Sequence, residues 1–362
     1  MITGNKGEWS EIYTFLKLIS DGKLFAADEN LNIIPDLFYP IIKILRQEVN
    51  RQREYVLNGQ VKIIDGNNQE LICSIPKIKF LHYSKKLLEN INKSIGSTFS
   101  CSEVENFLNS IDCFNLKASS KDKSDIKMVV HDLQTGQNPT LGFSIKSMLG
   151  KQSTLFNPGK TTNFIYEIVG EKNSVIDINI INSIEDQPKI LNKLKYLKEN
   201  NFKIKFYDIE SEIFKLNLEL IDSNLPEILS YLLLYRYSEL KKSKVNSLLE
   251  LIKEINPLNY KNTLSHPFYE YKIKRFLTDV ALGMTPSKVW SGEYIATGGF
   301  IIVRQDGEIV CYHIYNQNKF QDYLINNTKF EQASTDRYDF GKLYREKNKI
   351  FIKLNLQIRF IK

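Results

Sequence analysis

The strongest constraint on the fold is a pair of short runs, DIKMVVH at 125–131 and LGFSIKS at 141–147, separated by the turn-rich DLQTGQNPT. Apolar residues alternate in both, which predicts two β-strands joined as a hairpin. Ile126, Met128 and Val130 share one face of the first strand, and Phe143 and Ile145 share one face of the second. A slip of one residue would turn a core face to water, so the apolar faces must coincide. The expected registers place Met128 opposite Ile145 or opposite Phe143. Both send Asp125, Lys127, Ser144 and Lys146 out from the other face, with Asp125 directly opposite Lys146 or diagonal to it.

A carboxylate beside a lysine on a sheet has two readings. One is a cross-strand salt bridge on a solvated face, which contributes little. The other is a phosphodiester-cutting centre. There the carboxylate oxygen is a hard ligand for Mg²⁺, while the lysine orients attacking water and stabilises charge developing on the phosphate. From these residues alone the salt bridge is the simpler reading.

The elements around the hairpin suggest a mixed α/β chain. Residues 8–19 predict an amphipathic helix with Ile12, Leu16 and Ile19 in one stripe broadened by Phe15. KLFAAD follows as a strand, 36–57 as a second helix with a basic polar side, and GQVKIIDGNNQELICSI as a hairpin turning at Asp65-Gly66. Helices are expected at 84–95, 101–110, near 186–200 and across 225–255, with a strand at NFIYEIVG. The last hundred residues are β-rich, including a hairpin that turns at Asp306-Gly307.

Charge and cysteine usage narrow the function classes. Lys plus Arg exceed Asp plus Glu by 49 to 42, a net charge of +7, which favours a polyanionic partner. The 4 cysteines form no C-x-x-C pair and the 4 histidines are scattered. That argues against a zinc site or a disulfide framework and points to a reducing cytoplasm. No apolar run approaches the roughly 20 residues of a bilayer helix, so no membrane role is expected. A Walker-type glycine loop is missing, which disfavours ATP-driven chemistry.

For nucleic-acid contact, FYEYKIKRF interleaves aromatics with Lys272, Lys274 and Arg275. RQREY offers Arg51 and Arg53 on the expected second helix, and Arg304 precedes a hairpin turn. STDRYDF places Asp336 and Arg337 together in an expected loop, residue types that accept from cytosine and pair with guanine.

The helix, the strand opening in Asp125 and the strand carrying Ser144-Ile145-Lys146 together resemble the PD-(D/E)xK nuclease core, a mixed central sheet flanked by helices. More specifically, three stretches resemble the HpaII-type restriction endonucleases: KGEWSEIYTFLKLISDGKLFAADENLN, GFSIKSMLGKQSTLFNPGKTTNFIYEI, and DGEIVCYHIYNQNKFQDYLINNTKFE with the terminal FIKLNLQIRFI. They span almost the whole chain. The resemblance implies a Mg²⁺-dependent type II enzyme cutting double-stranded DNA at 5′-CCGG after the first C, with a cytosine methyltransferase as functional counterpart.

The same resemblance implies a nuclease core over 1–210 and a helical, then β-rich, DNA-recognition region over 211–362. Asp125 would hold the metal, Lys146 would serve the nucleophile, and a homodimer or a sequentially nicking monomer would make the two cuts. One departure stands out: Ser144 occupies a position where a carboxylate is usual, and serine is a poor metal anchor. The missing acid is expected from Glu11, chosen over Glu8 on the same helix, with Glu167 as the second choice. A structure-specific repair or junction nuclease on the same core, or a DNA-binding protein without cutting activity, are the competing readings.

Overall fold

The computed structural model describes residues 2–48, 51–116, 124–170, 176–239, 242–261, 263–313 and 316–361. In chain order the elements begin with α1 (Lys6–Asp21), β1 (Lys23–Ala27), β2 (Ile33–Glu48), β3 (Arg51–Asn58), β4 (Gln60–Asp65) and β5 (Leu71–Ile75). Next come α2 (Lys77–Lys93), α3 (Ser102–Ser110), β6 (Ile126–Val130), β7 (Thr140–Ser147), β8 (Thr154–Phe156) and β9 (Asn163–Val169). They are followed by α4 (Ile178–Asn182), α5 (Lys189–Glu199), β10 (Lys203–Ile209), α6 (Glu212–Ile221), α7 (Leu225–Ser238), α8 (Val245–Ile255) and α9 (Phe268–Leu282). The chain closes with β11 (Gly299–Val303), β12 (Ile309–His313), α10 (Gln317–Asn327), β13 (Thr328–Glu331), α11 (Thr335–Tyr338), β14 (Leu343–Glu346), β15 (Lys349–Asn355) and β16 (Gln357–Phe360).

Contacts divide the chain into two units, Met1–Ser153 with Tyr294–Tyr323, and Thr154–Glu293 with Leu324–Lys362. This differs from a division at 210. The reason is long-range pairing: β11, far along the chain, lies parallel to β7, and β12 lies parallel to β1. Parallel neighbours leave no local trace in a sequence, because the segments they join are distant.

The first unit is built on a mixed sheet in the order β1-β12-β11-β7-β6-β2-β3-β4-β5, and β1 also pairs with β2. Helix α1 anchors it. Asn5 and Glu8 form a reciprocal capping box at its start, and Gly22 in the left-handed conformation ends it. Trp9, Ile12, Phe15, Leu16 and Ile19 are fully buried and join one core with Met128, Phe143, Ile145 and Ile301. Each such side chain contributes roughly 1.5–3 kcal/mol relative to exposure.

The expected helix over 36–57 is instead the β2–β3 hairpin, with Arg46 opposite Arg53 and Leu45 opposite Glu54. Ile41, Ile44 and Leu45 fall at helical spacing, but Pro40 lacks the donor a helix interior needs. Cross-strand pairing with β6 then overrides local propensity.

The second unit carries two smaller antiparallel sheets, β10-β9-β15-β14 and β13-β16-β8. Helix α7 packs against β10 and β15, and Leu225, Ile228, Leu229 and Leu232 on it are fully buried. Its run of apolar residues is a core helix. No helix among the described residues is long and apolar enough to cross a membrane.

Candidate active site

The 124–147 hairpin forms, but two residues out of the nearer expected register and four out of the other. Ile126 faces Phe143, and Met128 faces Leu141. Alternation alone cannot separate registers that differ by two, since both superpose the same faces. The turn chooses. Asp132 accepts from the backbone N–H of Gln134 at 2.9 Å and of Thr135 at 3.3 Å, and its own N–H donates to Gln137 O at 2.9 Å. With Val130 N–H also bonded to Pro139 O, the strands are closed one step nearer the tip than hydrophobic matching suggests. Asp132 is therefore a turn cap, and His131 is bonded through Nδ1 to Asn138 Oδ1 at 2.8 Å.

Asp125 lies just before β6, and its backbone N–H donates to Phe143 O at 2.8 Å, so the ladder does not run on in register past Ile126. The polar face predicted from alternation is intact, yet no salt bridge forms. Asp125 Oδ2 accepts instead from the Ile145 backbone N–H at 2.6 Å and from Ser144 Oγ at 3.1 Å. Lys146 lies over the Phe300 ring, 5.6 Å from Nζ to the centroid. Burial lowers its pKa from the ordinary lysine value, opposed by the charges of Asp125 and Glu11. The carboxylate and the ammonium are close enough to feel one another, but each is held by other groups.

Glu11 enters the same field. Ser147 Oγ donates to Ser10 Oγ at 2.8 Å, tying the residue after Lys146 to the residue before Glu11. Ser147 is thus a stitch between β7 and α1. One carboxylate oxygen of Glu11, Oε2, is shut off from solvent. Glu8, its neighbour on the helix, is occupied by the cap: Asn5 N–H donates to Glu8 Oε2 at 2.9 Å.

Glu167 sits on β9 in the second unit, where Lys349 reaches its carboxylate at 3.1 Å. Among the described residues no group of three or more His, Cys, Asp or Glu is arranged to hold a metal. The carboxylates whose charges reach Lys146 are those of Asp125 and Glu11. Both bonds to Asp125 fall on Oδ2, so the donor set fits a cation that takes one or two carboxylates and keeps several waters.

Most of the basic residues picked for DNA contact are engaged within the protein. Arg53 is 3% exposed and held by Asp112 and by Asp65 at 2.7 Å, so it braces β3. Arg51 is exposed at the end of that strand. On α9, Lys272 pairs with Asp222, Lys274 with Glu270 at 2.8 Å, and Arg275 with the buried Asp279 at 3.2 Å. Arg304 bonds Asp306 at 2.6 Å and Leu31 O at 3.2 Å. Asp336 and Arg337 are exposed on α11 at the edge of a cleft. The Ile145 amide and the Phe300 ring escaped the sequence reading. A backbone donor has no residue signature, and Phe300 reaches Lys146 only through the parallel pairing with β7.

A model of the HpaII restriction endonuclease family matches residues 5–360 of the chain. The type II restriction enzyme HpaII of Haemophilus parainfluenzae is 46% identical to it over 99% of both chains. No solved structure matches.

Proposed function

With the chain a member of the HpaII restriction endonuclease family, and so a type II site-specific DNA endonuclease, we propose that Asp125, Glu11 and Lys146 form its cutting centre. The observation that carries this is the unpaired geometry at the hairpin. A structural salt bridge would have closed Asp125 onto Lys146; instead Asp125 is oriented by Ser144 and Ile145, and Lys146 is desolvated beside it.

Asp125 and Glu11 are the residues to hold Mg²⁺. When bound, the ion supplies Lewis acidity at the phosphate and lowers the pKa of a coordinated water. The Ser144 and Ile145 donors fix the Asp125 carboxylate before substrate arrives, which avoids reorganisation during the reaction. Lys146 positions the attacking water and meets the charge that gathers on the phosphate oxygens. Its apolar surroundings strengthen that interaction relative to water. Ser144 thereby has a role as an orienting donor, with Glu11 supplying the second acid. The order α1, β6, β7 and the parallel β11 support a PD-(D/E)xK core.

The recognition site proposed is 5′-CCGG, cut after the first C and blocked by cytosine methylation, with a cognate methyltransferase protecting host DNA. A palindromic site calls for two cuts, made by two copies or by two successive nicks. A plasmid digest with and without Mg²⁺, followed by sequencing of the ends, is the test. Ends beginning uniformly at CGG, obtained only with the metal, are expected; scattered ends would remove the site-specific target, and Mg²⁺-independent cutting would remove the assigned centre.

A further inference from the structure

We propose that a cleft in the second unit, centred on Lys193, binds a backbone phosphate of the DNA. The cleft encloses about 550 Å³ and is lined by Lys160, Lys189, Lys193, Arg337 and Lys342 against Glu185, Asp336 and Asp339. Two of these cations are already answered: Lys189 pairs with Glu185, and Lys160 lies 3.8 Å from Asp339. Lys193 is different. It is 3% exposed, and its ammonium donates to a backbone carbonyl, Gly341 O, at 3.2 Å.

Burying an ammonium against one carbonyl is costly, because the remaining protons lose water without gaining an acceptor. Burial lowers its pKa, and Lys342 and Lys189 push the same way while Glu185 opposes them. An anion entering the cleft would relieve all three at once. The backbone is shaped for this. Gly341 has φ +81, and a Cβ there would meet Ile190 at 2.8 Å, so only glycine presents that carbonyl to Lys193 without strain. Helix α5 also starts at the cleft, with Pro188 as an N-cap that offers no side-chain acceptor to its first amides.

The inference rests on the endonuclease reading and extends it to a contact remote in sequence from the cutting residues. DNA is favoured over a small phosphate because the open rim carries Arg337 and Lys342, both exposed, which suit a continuous polyanion. Lys193→Met and the double variant Lys342→Gln/Arg337→Gln are measured for Kd on a duplex containing CCGG in Ca²⁺, across a salt series, alongside Tm. Lys193→Met is expected to bind about 10-fold more weakly with a salt slope shallower by about one, the value for one lost phosphate contact. Its Tm should be unchanged or higher, whereas a lysine retained for structure would lower it. The rim variant, which leaves the core untouched, should show the same direction in Kd and slope. Wild-type affinity and slope in both variants would overturn the proposal. Wild-type protein that cuts DNA while these variants bind normally sinks this site alone; wild-type protein that neither binds nor cuts sinks the endonuclease reading beneath it.

Discussion

Lys146 on β7 and Lys272 on α9 are both lysines beside carboxylates, and they teach opposite lessons. Lys272 stands in a basic, aromatic run of the kind that suggests nucleic-acid contact, yet it closes onto Asp222. Lys146 stands in an unremarkable strand, yet its ammonium is desolvated over Phe300 while the adjacent Asp125 is held by a hydroxyl and an amide. Basic composition marks where charge is. Pairing decides whether that charge is free to act on something outside the protein.

The contrast can be broken most decisively at the strand. Lys146→Met should reduce the single-turnover cleavage rate by more than about 100-fold, the scale of losing one charge stabiliser, with duplex binding in Ca²⁺ kept. Lys272→Gln should leave the rate within about 3-fold and lower stability by no more than about 1 kcal/mol, since Asp222 is left partly solvated. If the two variants behaved alike, the assignment of the centre would fail. Arg53→Met extends the comparison to a buried brace. It should cost about 2–3 kcal/mol in denaturant unfolding, because Asp65 and Asp112 lose their partner, with kcat for the folded fraction unchanged.

His313 gives a smaller effect on stability that depends on pH. It is buried against Tyr39, and burial pushes its pKa down to about 4, partly offset by the charge of Asp132. A depressed folded-state pKa means that the unfolded chain takes up a proton first. The contribution is complete above the unfolded pKa of about 6.5 and is lost as pH falls toward 4, on the order of 2 kcal/mol in all. Urea midpoints for wild type and His313→Asn should converge over that window; parallel curves would show the imidazole is not titrating there. The smallest change expected is at Ser144→Ala, a loss of about 3- to 10-fold in cleavage rate from one orienting hydrogen bond, because the Ile145 amide still holds Asp125.

Alternation along 125–131 and 141–147 was enough to place Asp125, Ser144 and Lys146 on one side of a hairpin, because side-chain direction follows a period of two whatever the partner strand does. The stripe on α1 was equally readable, whereas the preference for Glu11 over Glu8 came from the family resemblance. What local pattern could not supply came from contacts between distant segments. The Asp132 turn set the register by backbone hydrogen bonds, the β11–β7 pairing brought Phe300 under Lys146, and β6 drew residues 36–57 out of helix into a strand pair. The ion pairs that occupied Arg53, Lys272 and Arg275 likewise join residues that only folding brings together or orients. Periodicity is a property of one segment and survives in the sequence. Pairing energy belongs to two segments at once, and it takes a value only when the chain has brought them into contact.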